Sequence, residues 1–163
     1  MNKCQRKRIP WFVIPCAAVC LLHGQLSTRA GLIYYVEGDV RLDGIRVAKF
    51  DPLVRVGAGR TLDTGPDTLA ELLLQPGNYF RLAGNTAVTM KSDEFASVAM
   101  ELNGSATLDV SAIDPKTGIV ISCGQASAEF SRPGFYRLDC GGGDGTSSIH
   151  VFRGQATFSN ARI

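Results

Sequence analysis

Apolar residues recur at every second position through most of the chain after residue 30, the period of a strand with one buried face. The clearest run is Val98, Met100 and Leu102, then Asn103-Gly104, then Ala106, Leu108 and Val110. Asn-Gly is a strong short-range hairpin signal. A two-residue loop would point the two apolar sets to opposite faces. The pattern therefore predicts a three-residue loop with Gly104 as a left-handed bulge, Met100 facing Ala106 and Val98 facing Leu108. Asp43-Gly44 is a second hairpin signal. Here a two-residue loop sets Leu42 against Ile45, Val40 against Val47 and Arg41 opposite Arg46 on the outer face. Like charges directly opposite repel, so these arginines either splay into water, the favoured reading, or hold an anion.

Leu32–Val36 reads as a strand buried on both faces, Leu69–Leu74 and Tyr79–Leu82 as a pair joined by a turn at 75–78, and Ala87–Met90 as a short strand before the polar stretch Lys91–Glu94. Ile119, Ile121 and Cys123 share one parity whereas Ala126, Ala128 and Phe130 share the other, which predicts a bulge at Gly124. Tyr136, Leu138 and Cys140 continue the buried face, and 141–145 is a glycine-rich loop. Ile149 and Val151 are expected to pair with Phe158 and Ala156 around Arg153-Gly154. The phrase apolar-x-Gly-x-apolar occurs at Gly38, Gly104 and Gly154, with a looser copy at Gly77. Helical periodicity is absent after residue 30. The chain thus reads as one all-β domain of short, mainly antiparallel strands in a twisted solenoid-like or sandwich-like stack.

The first 30 residues change the charge picture. Lys3, Arg6, Lys7 and Arg8 precede an apolar run from Ile9 to Leu22, the pattern of a secretory signal peptide. The run is shorter than the roughly 17–25 residues of a spanning helix. Thr28 and Ala30 supply small residues where a signal peptidase reads, which predicts a signal peptide over 1–30, cleavage before Gly31, a domain over 31–163 and no stable membrane span afterwards. The leader holds five of the 17 basic residues and no acidic one, leaving 12 basic against 15 acidic side chains and a net charge near −3. This gives no support to nucleic-acid binding. An exported protein, periplasmic or extracellular, is the expectation.

Of the five cysteines only Cys123 and Cys140 lie beyond the leader, an even number in a chain bound for an oxidising compartment. Both fall on the buried face, which predicts a disulfide. Simple hairpin counting, however, makes them diagonal neighbours about 7–8 Å apart, at the limit of what a bridge spans.

Groups for catalysis are sparse. His150, the one histidine after the leader, alternates with Ile149 and Val151 and reads as an outward strand residue. Asp63, Asp67 and Glu71 would be the candidates for a carboxylate-dependent hydrolase or a calcium site, yet each is explained as a turn former or an outward strand residue. The loop 141–145 lacks the lysine of a phosphate loop. No cofactor or metal is indicated. The residue types enriched at protein interfaces concentrate in Phe130–Arg137; with Phe130 and Tyr136 facing inward, the candidate partner-binding residues are Arg132, Phe135 and Arg137.

The runs Gly59–Gly65 (GRTLDTG), Ala70–Leu82 (AELLLQPGNYFRL), Glu101–Val110 (ELNGSATLDV) and His150–Phe158 (HVFRGQATF) together resemble the FecR domain. The resemblance covers nearly all of the chain after the leader and rests on turn glycines and alternation. It implies a twisted all-β domain outside the inner membrane. Well-known members of that family are regulators with a cytoplasmic anti-sigma segment, a membrane helix, this periplasmic domain and a C-terminal piece that meets an outer-membrane iron transporter. Eight residues before the apolar run are too few for an anti-sigma segment, so a standalone exported form is expected.

The functional expectation is a non-catalytic binding or scaffold module that contacts a protein or a cell-envelope polysaccharide through strand edges and loops. The alternatives are a small extracytoplasmic hydrolase using carboxylates, and a truncated regulator of transmembrane sigma or iron-transport signalling.

Overall fold

The computed structural model describes residues 29–49, 54–114, 116–141 and 146–160. Among these residues thirteen strands form one curled, mainly antiparallel sheet, a half-barrel with a single core. In chain order they are β1 (Leu32–Glu37), β2 (Val40–Leu42), β3 (Ile45–Arg46), β4 (Thr61–Thr64), β5 (Leu69–Gln75), β6 (Asn78–Leu82), β7 (Thr86–Glu94), β8 (Ser97–Val110), β9 (Gly118–Cys123), β10 (Ala126–Phe130), β11 (Gly134–Cys140), β12 (Ser148–Arg153) and β13 (Thr157–Asn160).

The sheet folds along a crease into two leaves. One leaf runs β1-β5-β6-β8-β11-β12 and the other β3-β2-β4-β7-β8-β9-β10-β13, with β8 common to both. The first half of β8 pairs with β7 and, in parallel, with β9; its second half pairs with β6 and β11. Val98, Met100, Leu102, Ala106, Leu108 and Val110 are all buried, so one face of this single strand lines the core across both leaves. Leu62, Leu72, Phe80, Met90, Phe130 and Tyr136 meet it there.

Asn103-Gly104 is therefore not a hairpin: the chain continues straight through it in a 14-residue strand. Gly104 has φ 116°, and a Cβ there would lie 2.7 Å from the Cα of Thr86. The glycine is needed for close backbone approach at the crease rather than for reversal of the chain. Gly38 carries β1 of one leaf into β2 of the other, and its Cβ position lies 3.1 Å from the Cα of Thr68. Gly154 carries β12 into β13 across the same divide, which corrects the expected β12–β13 pairing. Instead β12 pairs with β11 and β13 with β10. Gly77, by contrast, is a true turn between β5 and β6.

Bending a sheet breaks ladder hydrogen bonds at the crease, and buried threonine hydroxyls replace them. The Asp39 N–H donates to Thr68 Oγ1 at 3.1 Å. Thr64 Oγ1 donates to Ala83 O at 2.6 Å and accepts from Thr86 N at 3.0 Å. Thr86 Oγ1 in turn donates to Ser105 O at 3.1 Å and accepts from Ser105 N at 3.0 Å.

Asp43-Gly44 forms the expected two-residue turn, with φ 51° and 79°, Leu42 opposite Ile45 and Arg41 opposite Arg46. Ile45 nevertheless stays 71% exposed, because β3 is the outermost strand of its leaf. The facing arginines neither splay nor need an outside anion: Asp39 sits 3.1 Å from Arg41 and 3.8 Å from Arg46. Gly124 is not a bulge. Gly124-Gln125 is the turn of the β9–β10 hairpin, with Cys123 opposite Ala126. A two-residue turn places residues of opposite parity on one face, which explains the change in alternation. The expected double burial of Leu32–Val36 also fails. A register shift between Ile33 and Tyr35 turns both Tyr34 and Tyr35 outward.

Candidate binding surface

Cys123 and Cys140 form a disulfide with Cα atoms 5.2 Å apart. Hairpin counting placed them too far apart because β9 and β11 are not neighbours in a hairpin. Both lie against β8, one on each half, and run toward each other: Ser122 lies opposite Glu101 and Cys140 opposite Gly104. Their last residues converge where β8 crosses the crease, within the usual Cα range for a bridge.

The three partner-binding candidates do not form one cluster. Alternation along β11 buries Tyr136, Leu138 and Cys140 and sends Phe135, Arg137 and Asp139 to the outer face. Phe135 is half-buried, its ring 5.4 Å from that of Phe152 on the neighbouring strand. Arg137 lies opposite His150 and is paired with Asp139 at 3.0 Å. The Asp139 carboxyl is held below the usual carboxylate range, chiefly by its hydrogen bonds from Arg137 and with help from the Ser105 hydroxyl; the carboxylate in turn raises Arg137. Arg137 thus presents a neutralised ion pair rather than a free cation. Arg132 stands apart in the exposed loop before β11, beside a shallow groove lined by Ile113, Ser131, Pro133, Gly154 and Gln155.

A buried tyrosine positions this loop. Tyr136 Oη accepts a hydrogen bond from Gln155 N at 3.1 Å and lies 3.1 Å from Gln155 O and 3.2 Å from Arg132 O, either of which its proton can reach. One hydroxyl therefore joins two of the connections that cross between the leaves, β10–β11 and β12–β13, and its ring packs against Phe130 with centroids 4.7 Å apart.

Sequence reasoning placed strands at β12 and β13 but, by pairing them with each other, missed that each is an edge of its own leaf. Val151 (48%), Phe152 (65%) and Phe158 (54%) are exposed there. A signal was present: Val151 and Phe152 are adjacent apolar residues in an alternating strand, so one must face outward. Most other exposed large apolar side chains occupy the opposite edges, namely Tyr34 and Tyr35 on β1 and Ile45 on β3. The start of β1 is covered, because Ile33 N donates to Val54 O and Leu32 bridges Arg55. Among the described residues, β12 pairs with β11 alone.

The carboxylates considered for hydrolysis are dispersed. Asp63 lies opposite Arg41 in one leaf, Glu71 is ion-paired to Arg81 in the other, and Asp67 occupies an exposed turn at φ 51°. Among the described residues no group of three or more His, Cys, Asp or Glu could hold a metal ion.

No protein-family model matches the chain, and no curated protein matches it. Two crystal structures from Parabacteroides distasonis ATCC 8503, at 2.50 and 1.65 Å resolution, are similar in part; both are described as a "putative anti-sigma factor". Each has a TM-score of 0.45, with 14% and 13% identity respectively. Each alignment covers 61% of this chain, which spans 59% of the length of those chains.

Proposed function

We propose that this chain is an exported, non-catalytic binding or scaffold module of FecR-like type, which contacts a protein or a cell-envelope polysaccharide through the outer edge of β12, Phe135 and Arg137 on the outer face of the neighbouring β11, and Arg132 in the loop before β11. The observation that carries this reading is the edge itself. The outermost strand of the leaf offers its backbone together with exposed Val151 and Phe152, and Phe135 supports the Phe152 ring. An edge left in this state is a template for adding a strand from a partner, with backbone hydrogen bonds giving affinity and alternate side chains giving selectivity. The disulfide supports an oxidising destination. No helix of the described residues is long and apolar enough to cross a membrane.

The test is retention of the purified domain on isolated cell-wall sacculi and on an immobilised exported-protein fraction. The combined Arg132, Phe135 and Arg137 to alanine variant, and separately Phe152→Asp, should remain folded and lose retention, with the triple variant melting somewhat below wild type because the Arg137–Asp139 pair and the Phe135–Phe152 contact are gone. Unchanged retention of both variants on both materials would reject this edge as the contact surface. Turnover of a glycan or peptide substrate that disappears in Asp63→Asn or Asp67→Asn would reject the non-enzymatic reading.

A further inference from the structure

Arg29 and Ala30 lie immediately before the cleavage point that small-residue spacing suggests, and both are built into the fold. Ala30 has 0% exposure and donates its N–H to Asp93 O at 2.8 Å. Arg29 pairs with the carboxylate of Asp93 at 2.9 Å, and Asp93 is buried, with 4% exposure. Arg55 holds the segment from the other side, donating to Ala30 O at 2.9 Å and also to Arg29 O. Buried Gly31 then donates to Leu73 O at 3.1 Å and accepts from Val56 N at 2.8 Å. Residues 29–31 thus join the end of β7 in one leaf to β5 in the other.

A cut before Gly31 would remove the cation that faces Asp93, delete a fully buried side chain and place a new ammonium at a buried position. The first and last changes leave a buried charged group to find another partner, and the second opens a gap in the core. From this we infer that Arg29 and Ala30 belong to the folded domain and are retained in the exported protein, so that processing ends upstream of Arg29. The inference rests on the export reading above.

The experiment uses the full chain with its own leader, expressed in a bacterium. The exported fraction is analysed by intact mass and N-terminal sequencing. The expected protein begins at Arg29 or upstream. An exported chain beginning at Ala30 or later overturns this inference alone, whereas full-length protein left in the cytosolic fraction defeats the export reading and this inference together. Thermal melts of the exported product provide a second readout, because Arg29→Ala alters stability only if residue 29 is still present. Arg29→Ala and Asp93→Asn should each lower the melting temperature, by about 3 °C or more, with the double variant falling by less than the sum. An Arg29→Ala product with the mass and melting temperature of the wild-type product would overturn the inference.

Discussion

Thr86 lies directly against the backbone of Gly104: a Cβ on residue 104 would sit 2.7 Å from the Thr86 Cα, while Thr86 Oγ1 hydrogen-bonds both Ser105 N and Ser105 O. Two strands can approach this closely only because one contributes no side chain and the other contributes a hydroxyl that restores the lost ladder bonds. Gly104→Ala should therefore destabilise the domain by about 2–5 kcal/mol, combining strain at positive φ with overpacking. Thr86→Val keeps the shape and loses the hydroxyl, at about 1–3 kcal/mol. Urea unfolding of both variants measures the two costs; a neutral Gly104→Ala would mean that the crease tolerates a side chain.

The Cys123–Cys140 bridge closes a short segment, with a sequence separation of 17. On the chain-entropy account, a loop of that size contributes about 3 kcal/mol. Reduction, or the paired change of Cys123 and Cys140 to alanine, should lower stability by roughly that amount and loosen the C-terminal ends of β9 and β11 first. Hydrogen exchange of Ile121 and Leu138 amides under reducing conditions locates the effect.

Tyr136→Phe retains the ring against Phe130 and removes the hydroxyl shared by the loops at Arg132 and Gln155. The expected cost is about 1–3 kcal/mol, since Gln155 N is left without that acceptor. The same variant should weaken any binding that depends on Arg132, because the loop loses its anchor. Chemical denaturation read beside retention on sacculi tests both consequences.

Asp139 yields a pH-dependent prediction. Its carboxyl titrates lower in the folded protein than in the unfolded chain, principally because Arg137 hydrogen-bonds the ionised form. The stabilisation is fully present above the unfolded value of about 3.9 and disappears as the pH falls through the lower folded value. Wild type should therefore exceed Asp139→Asn in stability at neutral pH, and the gap should close as the pH falls below about 4. Equilibrium unfolding of the two proteins across that range tests this, and a gap that does not change with pH would contradict it.

The proposed binding surface was only partly legible from sequence. Phe135 and Arg137 follow from parity along β11, and both face outward. That Arg137 is already matched by Asp139, and that Phe135 leans on Phe152, depends on strand neighbours that alternation does not specify. The exposed edge at β12 was hidden because Ile149 and Val151 were expected to pair with Phe158 and Ala156.

Sequence by itself determined the strand class and the inner face, down to individual positions such as Val98 through Val110 at even numbers, together with the Asp43-Gly44 turn. These follow from the two-residue period of an extended chain and from the left-handed backbone that Asp-Gly accepts, both local properties. Only the tertiary structure decided that Gly38, Gly104 and Gly154 are crossings between leaves while Gly77 is a turn. A glycine permits either conformation, and the choice rests on whether a distant backbone, such as that of Thr68 or Thr86, comes to lie against it. The same holds for Cys123 and Cys140, whose separation was set by β8, the strand against which both of their own strands pair.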